Sequence, residues 1–297
     1  MRLASCRDLK AELSAEVTVD GLTRFAALPP MPTGLGVARQ GDEYLLAVRT
    51  SDPALGEAIR QRAAGEADVQ VVTVTKRNAF QGTMRPLEPG AQIGMKDKGF
   101  VGTLGCFVRD AHGLLLLTNS HVAADEGAVA PGWVIGQPFG SSPVAVLDRF
   151  VPFSTTAPNL VDAAVARLDR RLRAIVGWTS AINGSIRGAR ALTPDDLGAP
   201  AFKAGRTTQV TAGRVSVVEL DGLQVGYDRG VLTFNDQIEV VSDAGAFSQP
   251  GDSGSLIVDA QGVGIGLLFA GGPSGTRDLT YANPLPVALS LLGVTLA

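Results

Sequence analysis

The sequence predicts a mainly β protein of the barrel or sandwich type, preceded by a small α/β unit. Three observations predict it. Beyond Phe100 the apolar residues fall into short runs separated by turn residues, the spacing of many short strands. Leu, Val and Ala dominate, with 36 glycines and 17 prolines to supply turns and only 5% aromatic residues. The first 80 residues instead carry a strand, helix, strand order.

In that first unit, "EYLLAVRT" (Glu43 to Thr50) reads as a strand. "DPALGEAIRQRAA" (Asp52 to Ala64) has the capping Asp and the apolar spacing of a helix, and "DVQVVTVT" (Asp68 to Thr75) reads as a second strand. Residues 1–80 are therefore expected to form a small α/β accessory domain. Residues 81–99, rich in Pro, Gly and charge, read as a linker or extended arm. From 100 to 297 come "GTLGCFVRD", "GLLLLTN", "SPVAVLDRF", "VDAAVARL", "GRVSVVEL", "GLQVGY", "QIEVV", "GSLIVDA" and "VGIGLLFA", each bounded by turn residues. The stretch from about Arg170 to Gly198 separates two groups of these strands and is expected to join two barrels. "NPLPVALSLLG" at the end fits a short helix begun after proline.

Charge and hydropathy exclude several classes. A formal net charge of -3 argues against a polyanion-binding surface, so no nucleic-acid partner is expected. No apolar run reaches the roughly 20 residues of a membrane-spanning helix. Arg7, Asp8, Lys10 and Glu12 interrupt the segment where an export signal would be apolar, so a cytoplasmic protein is expected. Cys6 and Cys106 stand far apart and read as two reduced thiols.

The chain has only two histidines. His112, in "RDAHGLL", reads as a tight hairpin turn. His121 follows the apolar run "LLLLTN" and opens "SHVAADEG", a short helical turn. Asp162 lies within the otherwise apolar "NLVDAAVARL", where a carboxylate is costly to bury unless it is hydrogen-bonded, and an imidazole N–H would suit it. Ser253 sits between glycines in "SQPGDSGSLIV". The order His121, Asp162, Ser253 is that of one of the known arrangements of the nucleophile, base and orienting acid used in acyl transfer. A serine hydroxyl needs such a base to attack at neutral pH. The bend would aim the backbone N–H groups of Gly251 and Ser253 at an oxyanion, with Pro250 offering no N–H of its own. Nothing in the pattern calls for a metal or a cofactor.

"TNSHVAA", "VDAAVARL" and "GDSGSLIV" resemble the three signature segments of trypsin-like serine proteases. "FVGTLGCFV", "KAGRTTQVTAGRV", "FSQPGDSGSLIV" and "GLLFAGG" are further similar to intracellular trypsin-like peptidases of bacteria and plants of the NARROW LEAF type. The resemblance implies a chymotrypsin-like double β-barrel from about Phe100 onward and a serine endopeptidase acting on protein or peptide substrates. It implies that Phe247, six residues before the nucleophile, lies at the base of the primary specificity pocket. Phe269, Gly271 and Gly272 would form the pocket wall. Lacking an acid at 247, the pocket is expected to take a small or apolar residue.

The resemblance also raises the question of activation. In digestive relatives, a new N-terminus beginning with isoleucine or valine pairs with the acid before the nucleophile, here Asp252. "AIVGW" (Ala174 to Trp178) has that form but falls after Asp162, out of place. Asp252 must find another partner, for which Arg206 to Thr208 could supply charge, or the linker must be cut by an activating protease. Regulatory proteins or activating proteases are thus expected partners. Two other readings use the same residues: a silent protease-like scaffold binding partners through the N-terminal unit, and an esterase.

Overall fold

The computed structural model describes residues 1–18, 33–50, 53–64, 68–72, 84–137, 142–242, 245–274 and 277–297. Helix α1 (Leu3–Thr18) is followed by strands β1 (Thr33–Gln40) and β2 (Glu43–Thr50), helix α2 (Pro53–Arg62) and strand β3 (Val69–Val72). Asp52, expected to cap α2, and residues 73–75, expected to extend β3, lie outside the described residues.

The first barrel comprises β4 (Gln92–Met95), β5 (Val101–Thr103), β6 (Cys106–Asp110), β7 (Gly113–Thr118), β8 (Val134–Gln137), β9 (Ser142–Phe150) and β10 (Ala164–Leu168), with helix α3 (Ser120–Ala123) after β7. A connection with a small ladder, β11 (Trp178–Thr179) and β12 (Gly184–Ser185), leads to the second barrel. That barrel contains β13 (Pro200–Gly205), β14 (Gln209–Asp221), β17 (Gln237–Val241), β18 (Leu256–Val258), β19 (Gly264–Ser274) and β20 (Arg277–Pro284), with the separate hairpin β15 (Leu223–Tyr227) and β16 (Gly230–Phe234) inserted between β14 and β17. Helix α4 (Leu285–Leu292) and β21 (Thr295–Leu296) complete the chain.

Pairing in the order β13, β18, β19, β20, β17, β14 closes through an added β13–β14 contact, giving a six-strand barrel. The other sheet runs β21, β6, β7, β10, β9, β8, β4, β5 and forms a half-barrel. Together they make the double β-barrel of the chymotrypsin type.

The run of four leucines in β7 explains how the halves meet. Successive strand residues face opposite sides. Leu114 and Leu116 point into the first barrel's core with Ile93, Phe107 and Ala166. Leu115 and Leu117 face the other way, into a second core shared with Leu256, Leu267 and α4. A strand buried on both faces shows no polar alternation, and this one is buried because the second barrel covers its back. His112 turns the β6–β7 hairpin, donating its backbone N–H to Asp110 Oδ1 at 2.8 Å.

Two segments differ from expectation. The residues read as a linker supply, from Met84 on, part of the first barrel: Gln92 to Met95 form β4 and all four are buried. Four residues with a glycine among them are too few to show a strand period. The α/β unit is also continuous with the second barrel, because β1 pairs antiparallel with β14, Leu35 opposite Asp221 and Val37 opposite Val218. Cys6 and Val37 share a core with Val215, Phe247 and Ile257.

Candidate active site

His121 and Asp162 come from the first barrel. Strand β7 ends at Thr118, and Asn119 takes an extended conformation (φ -80°, ψ 156°) before the single turn of α3 begins. His121 is its second residue, with a side chain 22% exposed. Asp162 precedes β10 between Val161 and Ala163, and it is wholly buried as the sequence implied.

The buried carboxylate is surrounded by donors. His121 Nδ1 lies 2.5 Å from Asp162 Oδ2, and the His121 backbone N–H donates to Oδ1 at 3.2 Å. Tyr227, at the end of β15, donates its hydroxyl to Oδ2 at 2.9 Å. Asp162's own backbone is pinned as well. Its carbonyl accepts from Asn119 Nδ2 at 2.7 Å, and its N–H donates to Asn283 Oδ1 at 3.0 Å. Three donors satisfy a carboxylate that an interior would otherwise reject.

Ser253 comes from the second barrel, on the turn before β18. This turn is docked against β5 of the first barrel: Thr103 donates its N–H to Ser253 O at 2.8 Å and its hydroxyl to Gly251 O at 2.8 Å. Gly102 shows how tight the junction is. A Cβ there would stand 2.4 Å from Val122, the residue after His121, and 2.8 Å from Ser253 O. The serine turn and the histidine helix thus converge over one glycine.

Gly251 has φ +101°, and a Cβ on it would be 2.5 Å from both Arg206 Nη1 and Thr207 Oγ1. Any L side chain there would be strained by conformation and blocked by its neighbours.

Asp252, between Gly251 and Ser253, faces inward and is wholly buried. It accepts N–H bonds from Thr207 (2.8 Å), Thr208 (3.2 Å) and Gln249 (3.0 Å), and a hydroxyl bond from Thr208 (2.7 Å). Its ion partner is Lys203 of β13, whose Nζ is 3.2 Å from Oδ2, both side chains having no exposure. Burial lowers the Lys203 pKa from its ordinary value, with the Asp252 charge opposing the shift. "KAGRTT" therefore does meet Asp252, through Lys203 and the two threonines, with the Arg206 guanidinium also in its field.

The expected pocket residues do not cluster. Phe247 has no exposure and packs among Val215, Val240 and Ile257. Phe269 is 4% exposed and packs with Phe234 at a ring distance of 4.9 Å, in a different core. Gly271 and Gly272 lie on β19 opposite Thr280 and Leu279 of β20. Along this end of β19 the other edge has no strand partner among the described residues, since β18 pairs with it only as far as Leu267. Among the described residues no group of His, Cys, Asp and Glu could hold a metal.

Two residues of this region escaped the sequence reading. Tyr227 had no motif around it, only the strand "GLQVGY". Lys203 opens "KAGRTT" but, as a lysine in a strand, carried no sign of burial.

No protein-family model matches the chain, and no curated protein matches it. Solved structures do. Thermobifida fusca Protease A is similar over 71% of this chain and 98% of its own, at 17% identity and a TM-score of 0.52. A glutamic acid specific serine protease, described as using a histidine triad in substrate binding, matches over 71% of this chain and 100% of its own, at 23% identity and a TM-score of 0.52. The Nocardiopsis protease matches over 71% and 98%, at 17% identity and a TM-score of 0.51. Likeness at these identities bears on architecture, and the conclusion it carries is that this chain has the double β-barrel fold of chymotrypsin-type serine proteases.

Proposed function

We propose that the protein is a serine endopeptidase of the trypsin-like type, with Ser253 as nucleophile, His121 as general base and Asp162 as the acid that orients it. The observation carrying this reading is the buried His121–Asp162 contact of 2.5 Å, made by a histidine whose helix meets the Ser253 turn. With Asp162 on Nδ1, the imidazole keeps its proton there and presents a bare Nε2 as base. His121 takes the Ser253 proton as Oγ attacks the peptide carbonyl, then gives it to the departing amine. Water attacks the acyl-enzyme by the same route in reverse. The N–H groups of Gly251 and Ser253 are the proposed oxyanion donors. The edge of β19 that has no strand partner among the described residues at Gly271 and Gly272 suits an extended substrate backbone, which would add as a strand. Along with the NARROW LEAF likeness, these features favour a protein or peptide substrate handled inside the cell.

A fluorophosphonate probe tests the proposal. It should label the wild-type chain at Ser253, and Ser253→Ala should take up none while melting like the wild type. Absence of labelling in both the intact and the cleaved wild-type chain would instead identify a protease-like scaffold. Peptide hydrolysis should fall on the order of a millionfold in Ser253→Ala.

A further inference from the structure

The geometry points to Tyr227 as a positioning residue that ties the His121–Asp162 pair to the barrel bearing Ser253, with the tip of its hairpin clamped on Glu126. The inference rests on the peptidase reading above and concerns how its parts are kept in register. His121 and Asp162 belong to the first barrel and Ser253 to the second, so a base and nucleophile that must meet within hydrogen-bond reach stand on separately folded sheets. Tyr227 is on the β15–β16 hairpin, which leaves Ser253's barrel between β14 and β17, and its hydroxyl donates at 2.9 Å to Asp162 Oδ2, the same oxygen that faces His121 Nδ1.

The ring is fixed as firmly as the hydroxyl. It packs on Phe153 at 5.1 Å and Phe234 at 6.0 Å, and meets the His121 imidazole edge-on at 6.0 Å and 65°. Burial, with the Asp162 charge beside it, holds the phenol pKa well above 10.0. The group therefore stays protonated and remains a donor throughout the range in which a histidine base works.

The hairpin β15–β16 forms a two-stranded sheet of its own, held at its base where Asn159 exchanges backbone hydrogen bonds with Thr233 and Asn235, and its tip, where Tyr227 lies, has a second anchor. Glu126, just beyond α3, provides it. Its carboxylate accepts the backbone N–H groups of Asp228 (2.9 Å) and Arg229 (3.2 Å), and its carbonyl accepts Arg229 Nη1 at 2.8 Å. The segment carrying the base thus grips the hairpin that steadies the base's partner.

Tyr227→Phe in the full chain is the test, since it keeps the ring and removes one oxygen. With a rhodamine-tagged fluorophosphonate, kinact should fall about tenfold, the scale of one hydrogen bond to a charged group, at unchanged KI. In ¹⁵N-histidine-labelled protein the His121 Nδ1 resonance should move while that of His112 stays. Both changes together support the proposal. A weakened KI with kinact intact would make Tyr227 a substrate contact, and an unmoved Nδ1 resonance would remove the contact; either overturns it. Glu126→Ala should give a smaller loss of the same kind, and adding it to Tyr227→Phe should cost nothing more, since both act through one hydroxyl. Additive losses would overturn the clamp. If neither the intact nor the cleaved wild type takes label, the peptidase reading fails, while the Nδ1 resonance still judges the contact.

Discussion

Asp162 and Asp252 are two buried acids solved in different ways, and the contrast shows how single residues are used. Asp162 has no cation beside it except an imidazole that can become one; Asp252 has Lys203 and a ring of N–H donors. The first carboxylate meets an imidazole, the second a lysine ammonium. The two thiols show burial without such partners. Cys106, wholly enclosed, is pushed up to about 12, and Cys6 to about 11, chiefly by loss of hydration. Neither thiol should react with Ellman's reagent at pH 8 until guanidinium unfolds the chain, when both should. The linkage has a definite sign. Between about 9, where the unfolded thiols ionise, and these raised values the folded state holds protons the unfolded state has lost. Their contribution to stability is thus whole below pH 9 and is lost as pH rises beyond it. Cys106→Ala should show a shallower alkaline fall in Tm than the wild type.

At the level of elements, the serine turn is held to β13 by the Lys203–Asp252 pair. Removing one member of a buried ion pair leaves the other charge stranded, and costs roughly 3–5 kcal/mol. Lys203→Met should lower the denaturation midpoint accordingly and slow fluorophosphonate labelling. Because Asp252 is already met by five donor groups from within the chain, the uncut full-length protein should take the label, as intact-mass spectrometry would show. Labelling confined to a cleaved form would mean that the linker must be cut first. These elements were legible in the sequence to unequal degrees. The "GDSGS" turn, Asp162 in its apolar setting and His121 after the leucine run each stood out locally. Lys203 and Tyr227 did not, because what makes them matter is a partner about 50 or more residues away. Phe247 was assigned to a pocket by sequence offset, whereas its surroundings are a closed core; offset along a chain does not state which way a side chain turns.

For the whole molecule, the sharpest question is whether the α/β unit is an attachment or a part of the second barrel. The solved proteases similar to this chain are matched over nearly their full length by 71% of it, which leaves about 29% of this chain without a counterpart in them. Here, however, β14 gives one edge to β1, with Val37 opposite Val218 and Ala38 opposite Val217. Lys10 reaches across to Asp221 at 3.0 Å and to the Glu219 carbonyl at 2.6 Å. Cys6 and Val37 fill a core that also contains Phe247 and Ile257, the latter on the strand that follows Ser253. Removing the unit would open the β14 edge from Val217 to Asp221 and uncover apolar residues beneath it, a template for aggregation. Residues 84–297, though they include His121, Asp162 and Ser253, should accordingly be insoluble or melt without cooperativity, and should take up no fluorophosphonate. A soluble 84–297 fragment with the full chain's Tm and labelling rate would show instead that β14 tolerates a bare edge and that the unit is detachable.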